Sequence, residues 1–135
     1  MRIAFGSDEH TPLTEAIVRT LSELGHDVVI DVEEEPWPDV AHRVGDAVAG
    51  GDADRGVVCC WTGTGVSIAA NKVDGVRAAL CTDAETARGA RRWNDANVLA
   101  VSLRLTSPVV AREMLEAFLS TEPDPGERET ISRIG

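Results

Sequence analysis

The sequence predicts an α/β protein: a three-layer α/β/α sandwich built on a Rossmann-like parallel sheet of about five strands. Three observations lead there. Five short runs are rich in β-branched and other apolar residues, and each is too short to be a core helix. Between them, apolar residues recur at three- and four-residue spacing, which marks one buried helix face. The strand runs are also apolar almost without a break, as they must be when helices cover both faces of a sheet.

The first strand run is Ile3–Phe5. Thr11 caps the next helix, which has Pro12 in its first turn and Leu13, Ile17, Leu21 and Leu24 on one face, with Gly25 at its end. Val28–Ile30 is the second strand, followed by a helix with Val40, Val44 and Val48 in register and a stop at Gly50. The third, Val57–Cys60, runs into a glycine loop and a helix. Val76–Cys81 is the fourth, and Thr82 with Glu85 fits a capping box for the helix after it. Val98–Val101 is the fifth; Ser107 and Pro108 then open a helix with Val110, Met114 and Phe118 on one face. The remainder, STEPDPGERETISRIG from Ser120, is polar and proline-containing, then weakly helical, and is expected to pack on a neighbouring subunit.

A chain of 135 residues that is 43% hydrophobic buries roughly two-thirds of its unfolded surface, so residues 1–135 are expected to form one domain. The formal net charge of −10 argues against nucleic acid or an anionic membrane as partner, because phosphate attraction needs clustered Lys and Arg. An anionic substrate must therefore meet a local cationic site. No segment approaches the ~20 apolar residues of a membrane span, and MRIAFGSD lacks a leader's apolar stretch; a cytoplasmic location is expected. Three cysteines, two of them adjacent, make a poor disulfide framework, lack zinc-ligand spacing and imply no metal.

In parallel sheets ligands gather at the carboxyl ends of the strands. There VVCCWTGTGVSIAANK, residues 57–72, sets Gly63 and Gly65 between a strand and a helix, where bare backbone turns sharply and aims N–H groups at an anion. The third glycine of a dinucleotide loop and the GK[ST] ending of a triphosphate loop are both missing. Cys59 and Cys60 face opposite sides of their strand, and Cys60 is nearer the loop. A helix N-terminus beside a thiol favours its thiolate. Asp8 and Glu9 resemble the acidic pair of phosphoryl-accepting receiver domains, yet Cys60 stands where such a domain needs its acceptor aspartate. As a plain alternative, these acids cap the following helix.

The TGTGVSIAANK string, together with NDANVLA at residues 94–100, strongly resembles the ribose-5-phosphate isomerase B family, which also holds the galactose-6-phosphate isomerase subunits. The likeness runs from GSD at residues 6–8 through WPDVAH and DADRGV to about Phe118. It implies an aldose–ketose isomerase without metal or organic cofactor, acting as a homodimer or dimer of dimers with shared active sites. It further implies Cys60 as the group that moves a proton between C1 and C2, and Thr62 as an aid to proton movement between oxygens. Asp8, His10, Ser67, Trp93 and Asn94 are implied around the sugar, the Gly63, Thr64 and Gly65 loop around the enediolate, and Arg104, Arg128 and Arg133 around the phosphate. A second subclass uses a glutamate at the position of Val66, which valine excludes here.

Several positions depart from the family pattern. Trp93 replaces the ring-opening histidine, an acid–base group giving way to an indole donor. Ser7 to Pro12 keeps the aspartate of SDHAGF but has its histidine displaced by one residue or replaced by Glu9 and loses the Gly-Phe pair, and Trp61 stands at a common glycine position. Ribose 5-phosphate closes to a furanose through its 4-hydroxyl, whereas an aldose 4-phosphate of four carbons cannot. The loss of the histidine is therefore expected to favour a short or linear sugar phosphate. Two further alternatives follow from the same departures: an idle sugar-phosphate sensor, and a subunit active only in a mixed assembly.

Overall fold

The computed structural model describes residues 1–135, and strands and helices alternate in it as far as the fifth pair. The elements are β1 (Arg2–Ser7), α1 (Pro12–Glu23), β2 (Asp27–Glu33), α2 (Trp37–Ala49), β3 (Arg55–Cys60), α3 (Thr64–Ala70), β4 (Ala78–Leu80), α4 (Ala84–Asn94), β5 (Val98–Ser102), α5 (Pro108–Ser120) and α6 (Arg128–Ser132). The five strands form one parallel sheet, as the strand and helix periods predict, and its order is β2-β1-β3-β5-β4.

Side-chain alternation along each strand feeds two cores, which makes the three layers. On one face Phe5, Val57, Cys59 and Leu99 pack with Ile17 and Leu21 of α1, Ala87 and Ala90 of α4, and Met114 and Phe118 of α5. On the other, Ala4, Val58, Cys60 and Ala100 pack with Val44 of α2 and Val66 and Ala70 of α3.

Two details differ from expectation. β4 is shorter than Val76–Cys81 because the Val76 amide closes a turn onto the Val73 carbonyl and the Arg77 amide donates to Asn97 Oδ1 at 2.8 Å, leaving three residues for this edge strand. The cap of α4 is Asp83 rather than Thr82: its carboxylate accepts from the Thr86 amide at 2.7 Å, and a charged acceptor at a helix start binds more strongly than a hydroxyl. The stop at Gly50 is as expected: Gly50 ends α2 in right-handed geometry, and Gly51 follows at φ 85°.

Connectivity decides where a site forms. β1 leads outward to β2 on one side, whereas β3 continues toward β5 and β4 on the other. The loops leaving the carboxyl ends of β1 and β3 therefore diverge, and a crevice opens between them.

Candidate active site

That crevice is a cleft of about 350 Å³ lined by Asp8, Trp37, Cys60, Trp61, Thr62, Thr64 and Gly65. The two cysteines separate as strand geometry requires. Cys59 lies in the α1–α5 core, where burial holds its thiol far above the ordinary range. Cys60, the last residue of β3, faces the opposite layer; it is 5% exposed and is among the residues that line the cleft.

The loop beyond it is shaped by glycine. Gly63 precedes α3 at φ 77°, and a Cβ there would sit 2.6 Å from Leu80 Cδ1 and 3.0 Å from the Ser102 nitrogen. No side chain caps α3, and the amides of Gly63, Gly65 and Val66 donate to no protein acceptor. The Thr62 and Thr64 hydroxyls meet at 2.7 Å. Asp8 contributes a buried Oδ1 with no hydrogen-bond partner. Desolvation, then the nearby Glu9 charge, raises the Asp8 carboxyl above the usual carboxylate range. The Leu103 and Arg104 amides donate at 3.0 Å to the Cys60 and Trp61 carbonyls, which ties the Arg104 segment to the loop after β3.

Other predicted residues lie elsewhere. His10 does not line the cleft: its Nε2 meets Glu15 at 2.9 Å and its Nδ1 meets Glu33 at 3.1 Å, and these carboxylates raise its pKa. Ser67, a turn into α3, is also absent from the lining. Trp93 and Asn94 end α4, which leaves the carboxyl end of β4 and returns to the amino end of the sheet. They line a separate groove of about 500 Å³ along α4 with Leu80, Cys81 and Glu85, in which the Trp93 ring lies over Gly89. Arg128 lines a third cleft at that amino end, with Asp95, Glu122 and Asp124. Arg133 pairs with Glu129 at 2.7 Å. Thus the expected residues divide between the two ends of the sheet. Eight of the twelve arginines are committed to acids in this acidic chain, and Arg104 and Arg128 are, with Arg55 and Arg92, in no salt bridge.

Trp37 was not among the sequence candidates. It opens α2 between Pro36 and Pro38, lies against Gly65, and walls the cleft while 42% exposed. The signal was available, since an aromatic just after β2, flanked by prolines, falls at the carboxyl end of the sheet. No three His, Cys, Asp or Glu side chains converge to hold a metal ion, and no helix is long and apolar enough to cross a membrane.

Residues 3–134 match the family described as Ribose/Galactose Isomerase. The chain belongs to the ribose/galactose isomerase family. The D-erythrulose-4-phosphate isomerase of Pectobacterium atrosepticum is 37% identical over 143 residues, covering 100% of this chain and 93% of that protein. Over 99 residues the chain is 44% identical to a Bacillus subtilis relative, a match that takes in 73% of this chain and 65% of the relative's length. Among solved structures, ribose-5-phosphate isomerase B of Clostridium thermocellum superposes with TM-score 0.90 at 35% identity, covering 100% of this chain and 95% of that one. The family's α/β architecture is therefore also this chain's, and the TGTGVSIAANK and NDANVLA strings identified it correctly.

Proposed function

We propose that the chain is a sugar-phosphate aldose–ketose isomerase in which Cys60, as thiolate, takes the proton from C2 of the aldose. The electron pair forms an enediolate, whose oxygen is held by the unpartnered amides of Gly63, Gly65 and Val66. Cys60 returns the proton to C1, and the Thr62–Thr64 hydroxyl pair carries a proton from O2 to O1, so the ketose leaves with nothing gained or lost. The unpaired Asp8 oxygen accepts a sugar hydroxyl. One observation supports this reading: Cys60 lines a cleft beside backbone donors that the fold leaves unsatisfied.

Each protomer holds only part of the machinery at either end of its sheet, which supports a homodimer in which Trp93, Asn94 and Arg128 of a second copy complete the Cys60 cleft. Ribose 5-phosphate is the first substrate to try. The test is deuterium uptake at C2 by the unaltered chain and by Cys60→Ala. The variant should lose exchange by about 10²–10⁴-fold while still binding substrate. An unaltered chain that binds sugar phosphates without exchange would make this a sensor instead.

A second reading concerns the substrate. No histidine lines the Cys60 cleft or the α4 groove, and Trp93 offers only an indole N–H. A four-carbon aldose 4-phosphate has no free 4-hydroxyl to close a furanose and needs no ring opener, and a full-length relative is named for a tetrulose phosphate. Comparing kcat/KM on ribose 5-phosphate and on tetrose phosphates decides it; a clear preference for the pentose removes this reading.

A further inference from the structure

The largest fully buried side chain in the molecule is Arg91, at 1% exposure, and none of the chemistry above uses it. A guanidinium is costly to bury unless its donors are satisfied. Here Nη1 donates to Asp95 Oδ1 at 2.8 Å and to the Ala96 carbonyl at 2.6 Å and Nε donates to the Thr121 carbonyl at 3.1 Å, while Nη2 is buried without a partner. The carbon of the guanidinium lies 5.8 Å from the centre of the Phe118 ring.

These acceptors belong to two separate segments. Asp95 follows Trp93 and Asn94 in a left-handed turn at φ 48°, also gripped by Arg77, whose Nε meets the Asp95 carbonyl at 2.7 Å. Thr121 begins the tail that carries Arg128. Only one other hydrogen bond joins the tail to α4, from the Asp124 amide to the Arg92 carbonyl at 2.9 Å.

We propose that Arg91 is a positioning residue for substrate binding: it fixes the Trp93–Asn94 turn and the Arg128 tail in one relative placement, so that the sugar and phosphate contacts match one ligand. This rests on the isomerase reading above, with Asn94 on the sugar and Arg128 on the phosphate. The planar fork is what matters. A lysine keeps the charge but cannot reach acceptors on both segments with fixed geometry.

The experiment compares Arg91→Lys with the unaltered enzyme. KM for the sugar phosphate should rise about tenfold with kcat within about twofold, since mispositioned binding groups act on ground and transition states alike. Competitive inhibition by inorganic phosphate should weaken by the same factor. Ile17→Val, a core change that removes no hydrogen bond of this joint, should lower Tm and leave KM unchanged, which separates positioning from general stability. Should Arg91→Lys not fold, Asp95→Asn replaces it, because asparagine tolerates the left-handed turn while weakening the pair. A folded variant with unchanged KM and unchanged phosphate inhibition overturns the proposal, as does a fall in kcat alone. Failure of the isomerase reading looks different: the unaltered chain then exchanges no C2 proton. In that event phosphate binding by calorimetry still decides, with tenfold weakening supporting Arg91 and equal binding overturning it.

Discussion

Replacing Gly63 by alanine perturbs the loop on which the proposed oxyanion chemistry depends, and its cost follows from the geometry. At φ 77° an L-residue loses about 1–2 kcal/mol relative to glycine. The added Cβ would stand 2.6 Å from Leu80 Cδ1, which can yield, but also 3.0 Å from the Ser102 nitrogen and the Val101 carbonyl carbon, which cannot without moving β5. Such overpacking costs about 1–3 kcal/mol. The sum, roughly 2–5 kcal/mol, lowers Tm by about 7–18 °C in a chain of 135 residues. Gly65→Ala is the matched comparison. Gly65 has no left-handed backbone and lies within α3, where alanine gains about 1 kcal/mol of helix propensity, and its Cβ would meet only the half-exposed Trp37 ring at 2.9 Å. Its Tm should stay within about 4 °C of the parent while KM changes through the displaced indole. Thermal denaturation followed by circular dichroism reads both. Equal Tm shifts in the two variants, or a Gly63→Ala protein as stable as the parent, would refute the argument.

Asp8→Asn should raise Tm at neutral pH and raise KM. The fold lifts the Asp8 carboxyl through desolvation, so the folded state binds that proton more readily than the unfolded chain, and the parent gains stability as pH falls through the folded pKa. The variant's advantage should therefore shrink on acidification. His10 acts in the same direction but through its charged form: its pKa is raised by Glu15, then Glu33, so its contribution is complete below about pH 6.5 and is lost as pH rises through the folded value. His10→Gln should flatten Tm against pH in that window while leaving the Cys60 chemistry in place. Trp93→His should raise kcat/KM for ribose 5-phosphate relative to a tetrose phosphate by at least about tenfold, read in parallel steady-state assays.

The layers of the fold were legible because period decides them: Leu13, Ile17 and Leu21 could bury only as a helix face, and the strands around Val57 and Leu99 only between helices. The division of Cys59 from Cys60 followed from a period of two. Strand order was not legible, since nothing local in Val76–Cys81 or Val98–Val101 states which one takes the edge. That order opens the β1–β3 crevice, so Trp37, brought in from α2, escaped notice. The motif strings fixed the glycine loop but carried no information on where the end of α4 returns. Nor did they predict that Glu15 and Glu33 occupy both nitrogens of His10.

In the homodimer proposed above, the placement of Cys60 and Arg128 at opposite poles of one protomer has a genetic consequence. Two inactive variants, Cys60→Ala and Arg128→Ala, should rescue each other when co-refolded. A mixed dimer pairs an intact cysteine pole with an intact arginine pole at one of its two sites, so an equal mixture should recover about a quarter of the unaltered activity. Harm confined to one pole is in this sense recessive within the assembly, provided the other pole arrives on a different chain.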